Sequence, residues 1–541
     1  MNEAPSPDLS RAKAATLVAL IALVTLGLGL WELRADLPAV LHSDFVQAKQ
    51  ALDLLRTGRV QDEAVYPLPL VYVYAGAFVA TYAVGHVLGW GHYVDWPTFV
   101  QHVSRPEVHH AIGRAVGALC AALLAVGVYR LARVRFDRSV AVLATAAASF
   151  SPLLTIYAHQ FRPHVPVIAL IVLVAPAVLR AAIAPSLRTA VLSGLGGGVA
   201  SATFQVGLPF AASAFALAVL LVRPGRLMAR TLAGIGLGFA AGWVGLSLLA
   251  TRTGLLAEGS EAGGLLMRGK GGGLGYGVNE FFGSLSRFTL VGPLWLAAEP
   301  LCALAFTAFI VMCLAKRRSW RDVILYGTPA AAILAGIGLV HMARPRYTMY
   351  ATPFLAPLAA SAVLAIPRVP AIGLAARRLA VALLVLVPLA SSVRSDLLLS
   401  RSDTRMATHA ALPGLQQSGL RVVVQADILP AVVGVPPGVS LFPPRADYRD
   451  WMTKKETPIQ TLVRLKPDVF VRGHGATNVT ALDLQYMGLV RAHVFGAETI
   501  FVPDDPMWLL PELWQAQQPG PQIDCMARKE AVARVRAALG P

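Results

Sequence analysis

Long apolar runs alternate with short polar and basic segments over residues 1–393. Many of these runs reach the roughly 18 to 20 apolar residues that a helix needs to cross a bilayer. The first run is Ala14–Leu30 and the last is Leu379–Ala390. The segments between the runs alternate between basic and polar, as expected when each run crosses the membrane. Counting the runs in this way predicts about eleven membrane spans.

The pattern changes at residue 394, where short apolar stretches become separated by polar turns. Strands that alternate with helices are typical of a small α/β domain, which we expect over residues 394–541. The predicted fold class is therefore mainly α, a polytopic membrane protein with a small C-terminal α/β domain. The predicted strands are Leu420–Val424, Asp468–Val471 and Thr499–Val502, and the predicted helices are Thr457–Leu465 and Arg528–Leu539.

Composition agrees with a membrane protein. The chain has 541 residues, of which 56% are hydrophobic and only 14% are charged. Soluble domains average roughly 25% charged residues. The net charge of +17 does not indicate a nucleic-acid partner, because Arg and Lys collect in the short cytoplasmic loops of membrane proteins. The four cysteines form no CxxC pair, so we expect no disulfide framework and no cysteine metal site.

The basic clusters also predict the topology. Arg11 and Lys13 place the N-terminus in the cytoplasm, and the cluster Arg130–Arg138 is cytoplasmic by the same rule. The run Ala111–Tyr129 must then pass inward, which leaves both ends of Leu68–Trp90 outside. We therefore expect a re-entrant or interfacial helix near 68–90, inside a first outer loop of residues 32–110. The C-terminal domain is predicted to be extracytoplasmic, on a plasma membrane of bacterial type.

Four local patterns occur in order on the predicted outer side. Asp44 opens an amphipathic segment that ends at Gly58, and Tyr66-Pro-Leu-Pro69 follows it. Arg114 begins a helix that ends in Tyr129-Arg-Leu-Ala-Arg133, and Ser151-Pro-Leu-Leu154 then precedes the second outer loop. The last pattern is Arg346-Tyr347 with Pro353. Together they resemble the GT-C membrane glycosyltransferases of family 39, the branch of dolichyl-phosphate-mannose–protein mannosyltransferases and bacterial aminoarabinose transferases.

The resemblance implies an inverting glycosyltransferase of the cell envelope. Such an enzyme moves a hexose or pentose from a polyprenyl-phosphate donor to a protein, glycolipid or glycan acceptor on the outer face. The family commonly carries a second acid in the second outer loop, where this chain has His159-Gln-Phe-Arg-Pro-His164. In relatives that bind a divalent metal, that acid helps hold it. Because this chain lacks the acid, we expect neither a metal nor another cofactor.

The resemblance assigns the catalytic role to Asp44, as the general base that takes the acceptor's proton. The alternative is structural, since Ser43 or Asp44 would also cap a helix that starts at Phe45.

Arginine suits the leaving lipid phosphate, because its planar fork binds two oxygens. The candidate donor-binding residues are Arg344, Arg346, Tyr347, Arg162 and Arg114. Each outer arginine would alternatively be an interface anchor that reaches lipid headgroups.

Further polar residues of the outer loops are candidates for the substrate site. The loop Thr251–Thr289 is rich in glycine and is either a flap with glycine hinges or a plain linker. A zinc site made of His42, His159 and His164 is a weaker alternative, because their spacing matches no standard motif. The substrate-site candidates are His42, Tyr66, His159, His164, Glu258, Glu261 and Lys270.

Two other functions remain open. A lipid-linked sugar transporter or flippase would show inverted repeats and interrupted helices, and Gly194–Gly198 is the stretch that would break a helix. A catalytically degenerate GT-C scaffold subunit is the second alternative, favoured by the missing second acid.

Overall fold

The structure is a computed structural model. It describes residues 9–31, 33, 42–58, 68–90, 95–101, 106–204, 206–252, 295–339, 345–366, 372–401, 403–425, 428–429, 436–442, 458–473, 481–495, 500–501, 513–520 and 522–539. Two compact units divide the chain. The first, the membrane unit, is Met1–Leu33, Val46–Asp396 and Met507–Leu510, and the second, the C-terminal unit, is Arg34–Phe45, Leu397–Pro506 and Pro511–Pro541.

The membrane unit is built of helices. A short 3-10 helix, Pro345–Tyr350, lies in the sequence between the helices Trp320–Leu339 and Thr352–Leu364. The helices are α1 Arg11–Leu30, α2 His42–Thr57, α3 Leu68–Val87, α4 Trp96–Phe99, α5 Pro106–Ala132, α6 Arg138–Ser149, α7 Pro152–Ala158, α8 His164–Ile183, α9 Leu187–Thr203, α10 Gly207–Leu221, α11 Arg226–Arg252, α12 Pro300–Leu314, α13 Trp320–Leu339, α14 Thr352–Leu364 and α15 Ile372–Leu399.

Among the described residues, six helices are long and apolar enough to cross a membrane, or seven if the bent pair α6 and α7 forms one span. Leucines on these helices are exposed, such as Leu23 on α1 and Leu237 on α11, as a lipid-facing surface requires. The chain is thus an integral, multi-pass membrane protein. The count of eleven spans stays a prediction. So does the interfacial position of α3, which is itself long and apolar enough to span.

Glycines bring α9 and α11 into backbone contact. A Cβ at Gly194 or Gly198 of α9 would collide with the carbonyl of Ile235 or Phe239 on α11, and a Cβ at Gly238 would collide with the carbonyl of Val191. Small residues spaced by four allow this close approach of two membrane helices. The helix α9 runs unbroken through Gly194–Gly198. This stretch therefore does not interrupt a helix, whereas the transporter hypothesis predicted a break there.

Polar contacts tie three segments together at the basic end of the membrane unit. The Arg138 guanidinium donates to the Leu9 carbonyl (3.0 Å), in front of α1. Arg135, in the turn between α5 and α6, pairs with Asp322 at the start of α13 (2.9 Å). The N-terminal segment, the basic turn and the start of α13 therefore share one end of the bundle, as the charge rule for a common membrane face requires.

A bend of 54° separates α6 from α7 and is held by side chains from two other segments. The hydroxyl of Ser151 caps α7 and also bonds the carboxyl of Glu299. The Ser392 hydroxyl of α15 donates to the Phe150 carbonyl (2.9 Å), which the bend leaves outside the regular helix pattern. Side-chain partners of this kind satisfy backbone groups at a helix break.

The C-terminal unit has a five-stranded sheet with the order β2-β1-β3-β7-β4. The strand β1 is parallel to β2 and β3, whereas β7 is antiparallel to β3 and β4. A separate pair, β5 and β6, is parallel. The elements are α16 Thr404–Gln417, β1 Val422–Gln425, β2 Ser440–Phe442, α17 Pro458–Leu465, β3 Val469–Gly473, α18 Ala481–Tyr486, β4 Leu489–Phe495, β5 Ile500–Phe501, β6 Gln518–Pro519, β7 Ile523–Arg528, the 3-10 helix Lys529–Ala531 and α19 Val532–Leu539.

Both faces of this sheet are covered. Alternate residues of each strand point to opposite faces, so Val422 and Val424 pack with the helices α16 and α19, whereas Val423 packs with α17 and α18. The predicted strands at 420–424, 468–471 and 499–502 correspond to β1, β3 and β5. The closing helix begins at Val532, four residues later than predicted, because β7 extends to Arg528.

Candidate functional site

The polar residues of the predicted second outer loop lie inside the membrane unit. The segment His159–His164, which we name the 159–164 loop, joins α7 to α8. His159, Gln160, Arg162 and His164 each expose 7% or less of their surface. Polar and charged groups are costly to bury in a membrane protein and usually serve a function there. The loop is therefore the first candidate for a site.

Phe161 fixes this loop against α5. It is fully buried, and its ring packs edge-on against Tyr74 of α3, with 4.3 Å between ring centroids. A Cβ at Gly113 of α5 would lie 2.5 Å from the Phe161 ring, so only glycine leaves room for it. The Tyr74 hydroxyl also donates to the Arg162 carbonyl (3.4 Å). These contacts position the two polar residues on either side of Phe161.

His164 lies in an aromatic cage. Its Nδ1 hydrogen-bonds the Tyr350 hydroxyl at 3.0 Å. The rings of Tyr157, Phe204 and Tyr347 approach the imidazole edge-to-face, with centroids 5.5–5.7 Å away. Edge-to-face aromatic contacts orient a ring as well as bury it. The cage brings α7, the start of α8, the 3-10 helix and Phe204 to one place.

Two arginines converge on this cage. Arg162 is buried two residues before His164 in the same loop, and Arg346 belongs to the 3-10 helix that also carries Tyr347 and Tyr350. The Arg346 guanidinium carbon lies 5.1 Å from the centre of the Tyr347 ring, a cation–π distance. Burial raises the pKa of the Tyr350 hydroxyl well above its usual value, and Arg346 only partly opposes this shift. Tyr350 therefore stays a neutral phenol, with the positive charge of Arg346 acting on it.

A buried carboxylate that the sequence did not single out contacts the same loop. Asp396 of α15 exposes 1% of its side chain, and its Oδ1 lies 2.8 Å from His159 Nε2. Its other oxygen, Oδ2, has no hydrogen-bond partner in the described part of the chain. The second outer loop lacks an acid of its own, and α15 supplies one from 237 residues away.

A second buried acid, Glu299, lies just before α12 and bonds Ser151 at the bend between α6 and α7. It is 3% exposed. Neither acid has a local signal in the sequence, because each stands alone near an apolar run and its partner is distant along the chain. Glu299 holds the bend that leads into α7, and so acts on the 159–164 loop through the backbone.

The structure brings together four of the predicted residues and separates a fifth. Arg162, His164, Arg346 and Tyr347 lie around one cage. Arg114 is buried on α5, where its guanidinium donates to the Leu33 carbonyl (3.1 Å), and this contact serves the segment after α1. His159 belongs to the same loop but faces Asp396.

The other predicted residues lie outside the described part of the chain. Asp44 and His42 are in α2, although their side chains are not described, and Asp44 falls in the C-terminal unit. Within the described ranges, no group of three His, Cys, Asp or Glu residues is placed to hold a metal ion. The three-histidine site includes His42 and is therefore untested. Also outside are Tyr66, Glu258, Glu261, Lys270 and Arg344.

Comparison with known proteins supports the predicted resemblance. Residues 107–247 match the family model described as dolichyl-phosphate-mannose-protein mannosyltransferase. The matched region contains the whole 159–164 loop and ends before the 3-10 helix that carries Arg346. A search of curated protein sequences finds no match.

Among solved structures, the chain is similar to ArnT from Cupriavidus metallidurans bound to undecaprenyl phosphate. The two are 15% identical, the match covers 98% of this chain and 100% of that one, and the TM-score is 0.50, so they share a fold. Two weaker likenesses have TM-scores below that level. The oligosaccharyltransferase AglB from Archaeoglobus fulgidus is 11% identical, with 86% and 70% covered and a TM-score of 0.46. The mycobacterial arabinofuranosyltransferase AftD is 16% identical, with 96% and 40% covered and a TM-score of 0.41.

The matched segment and the shared fold agree on one group of proteins. The membrane unit of this chain resembles the GT-C glycosyltransferases, in the branch of the dolichyl-phosphate-mannose–protein mannosyltransferases.

Proposed function

We propose that this protein is an inverting glycosyltransferase. It takes a hexose or pentose from a polyprenyl-phosphate donor and transfers it to a protein, glycolipid or glycan acceptor on the outer face of the membrane. The single observation that carries the proposal is the placement of the buried Arg162 and of Arg346 beside the cage that holds the His164–Tyr350 pair. The similar fold of ArnT, whose structure holds undecaprenyl phosphate, agrees with such a donor.

The two arginines suit the leaving group of this reaction. When the bond between the sugar and the phosphate breaks, its electron pair stays on the phosphate oxygen. Fixed cations stabilise that developing charge best where water is excluded. The Arg162 side chain is buried, and the Arg346 side chain lies against Tyr347, so both are positioned before any ligand arrives.

Asp44 is proposed as the base. The acceptor oxygen or nitrogen forms a bond to the anomeric carbon from the face opposite the phosphate, which inverts the configuration. Its proton passes to the Asp44 carboxylate, and polyprenyl phosphate leaves as the anion. In this scheme His159 and Asp396 are positioning residues, because they hold the loop that carries Arg162.

The phosphate role is tested with purified protein in nanodiscs and polyprenyl phosphate as the ligand. A charged hydrogen bond contributes about 1.5–3 kcal/mol, so we expect Arg162→Ala and Arg346→Ala each to weaken binding by about 10- to 100-fold. Arg188→Ala, at an exposed position on α9, is the control and should bind as the wild type does. Unchanged affinity in both cage variants would exclude the cage as the phosphate site.

The transfer itself is tested in cells. Mass spectrometry of cell-envelope glycans, glycolipids and glycoproteins should show one sugar missing in a deletion strain and restored by the intact gene. An unchanged envelope with normal expression of the intact protein would count against a transferase. Accumulation of the lipid-linked sugar on the inner face alone would instead favour a transporter.

A further inference from the structure

Two buried glutamines of α2 have no hydrogen-bond partner among the described residues. Gln47 exposes 3% of its surface and Gln50 exposes none. Within the described part of the chain, the amide nitrogen and the amide oxygen of both side chains are unbonded. The neighbouring Asp53, one turn further on, differs because it accepts a bond from Arg56 (2.7 Å). Both polar ends of each amide are therefore unbonded, whereas the Asp53 carboxylate keeps one bonded oxygen.

Leaving these amides unsatisfied is costly. A buried polar group without a partner costs about 1–3 kcal/mol. The residues between and beyond them, Ala48, Ala51 and Leu52, are buried and apolar, so leucine at either position would suit the same face. Within the described part of the chain, the helix gains nothing in stability from the two amides, which favours a role in binding.

The unbonded atoms restrict the chemistry of that group. Each glutamine offers N–H donors and one carbonyl acceptor, so its ligand must both accept and donate hydrogen bonds. An ionised phosphate only accepts, and a cation only donates. A sugar hydroxyl does both. Residues three apart on a helix have their Cβ atoms about 5–6 Å apart, which suits neighbouring hydroxyls on one ring.

We propose that Gln47 and Gln50 bind hydroxyls of the sugar that is being transferred. This inference rests on the proposed function, in which Asp44, three residues before Gln47 on α2, is the base. The occupant is the donor's sugar, because the donor carries ring hydroxyls whichever acceptor is used, whereas a protein acceptor need not offer a pair of them.

The test compares three probes on the full chain in nanodiscs. These are farnesyl phosphate, farnesyl phosphoryl mannose and farnesyl phosphoryl arabinose. The wild type should bind at least one sugar conjugate more tightly than farnesyl phosphate. Gln47→Leu and Gln50→Leu should each reduce that advantage by about tenfold or more and leave the affinity for farnesyl phosphate within about twofold. The matched control is Gln417→Leu, at an exposed position on α16.

The outcomes separate this inference from the proposed function. If the wild type binds farnesyl phosphate but both leucine variants keep the full sugar advantage, the glutamines do not bind the donor sugar and water or an acceptor satisfies them. If the wild type gains nothing from either sugar, the inference is likewise overturned. If the wild type fails to bind farnesyl phosphate, the proposed function fails. Because leucine removes unsatisfied amides, both variants should be at least as stable as the wild type. A measured stability of that level excludes misfolding as the cause of a lost advantage.

Discussion

Replacing His159 by alanine should destabilise the membrane unit more than replacing Asp396 by alanine. Both side chains are buried, with 8% and 1% of their surfaces exposed, and 2.8 Å separates Nε2 from Oδ1. Without the imidazole, the carboxylate is left buried with no partner for either oxygen. Without the carboxylate, the imidazole loses one bond but can remain neutral. A buried charge is far more costly to leave unpaired than a buried neutral polar group.

The magnitudes follow from this asymmetry. Removing one partner of a buried ion pair costs about 3–5 kcal/mol, which we expect for His159→Ala. Asp396→Ala should cost about 1–3 kcal/mol, the usual loss for an unmade buried hydrogen bond. The double variant removes both groups at once and should cost less than the sum of the single variants by about 1.5–3 kcal/mol.

Unfolding of the purified chain by SDS, followed by circular dichroism, measures these free energies. His86→Ala, at an exposed histidine on α3, is the control for loss of an imidazole and should change stability by no more than about 0.5 kcal/mol. A coupling energy below about 0.5 kcal/mol would refute the pair as an energetic contact. So would an Asp396→Ala variant that is less stable than His159→Ala.

Three other outcomes are expected. Gly238→Val should cost about 1–3 kcal/mol in the same SDS titration, whereas Gly236→Val, where no atom lies within 4 Å of the added Cβ, should be nearly neutral; equal losses would contradict the close packing of α9 and α11. Burial, with a smaller effect of Asp524, raises the pKa of the Cys525 thiol to about 12, so iodoacetamide at pH 8 should alkylate it only after unfolding. Alkylated Cys525 in peptide mass spectrometry of the native protein would contradict this. Asp44→Asn should abolish sugar transfer at unchanged expression and helicity, and a fully active variant would remove Asp44 as the base.

Hydrophobic pattern and charge predicted much of the membrane unit. The long helices α5 and α8 coincide with apolar runs, because a membrane helix depends on its own residues for length and hydrophobicity. The polar loop between α7 and α8 and the Arg346-Tyr347 segment were singled out from sequence, and the structure brings them together. Their convergence could not be derived from spacing, since it depends on how α8 and the 3-10 helix pack.

The buried acids show where sequence reasoning ends. Asp396 and Glu299 bond residues 237 and 148 positions away, and neither separation leaves a trace in local periodicity. The strand β7 was missed for a related reason. It contains Asp524, which is fully buried and paired with Arg491 at 3.1 Å, so a charged residue stands where a strand pattern calls for an apolar one.

The helix α15 constrains how this protein can evolve. Ser392 and Asp396 lie one helical turn apart on it, the first holding the bend before α7 and the second holding the loop after α7. Any rotation or shift of α15 must move both ends of α7 together. Descendants that acquire a new substrate are therefore expected to keep this turn of α15, which sets the position of α7, and to vary other residues around the cage.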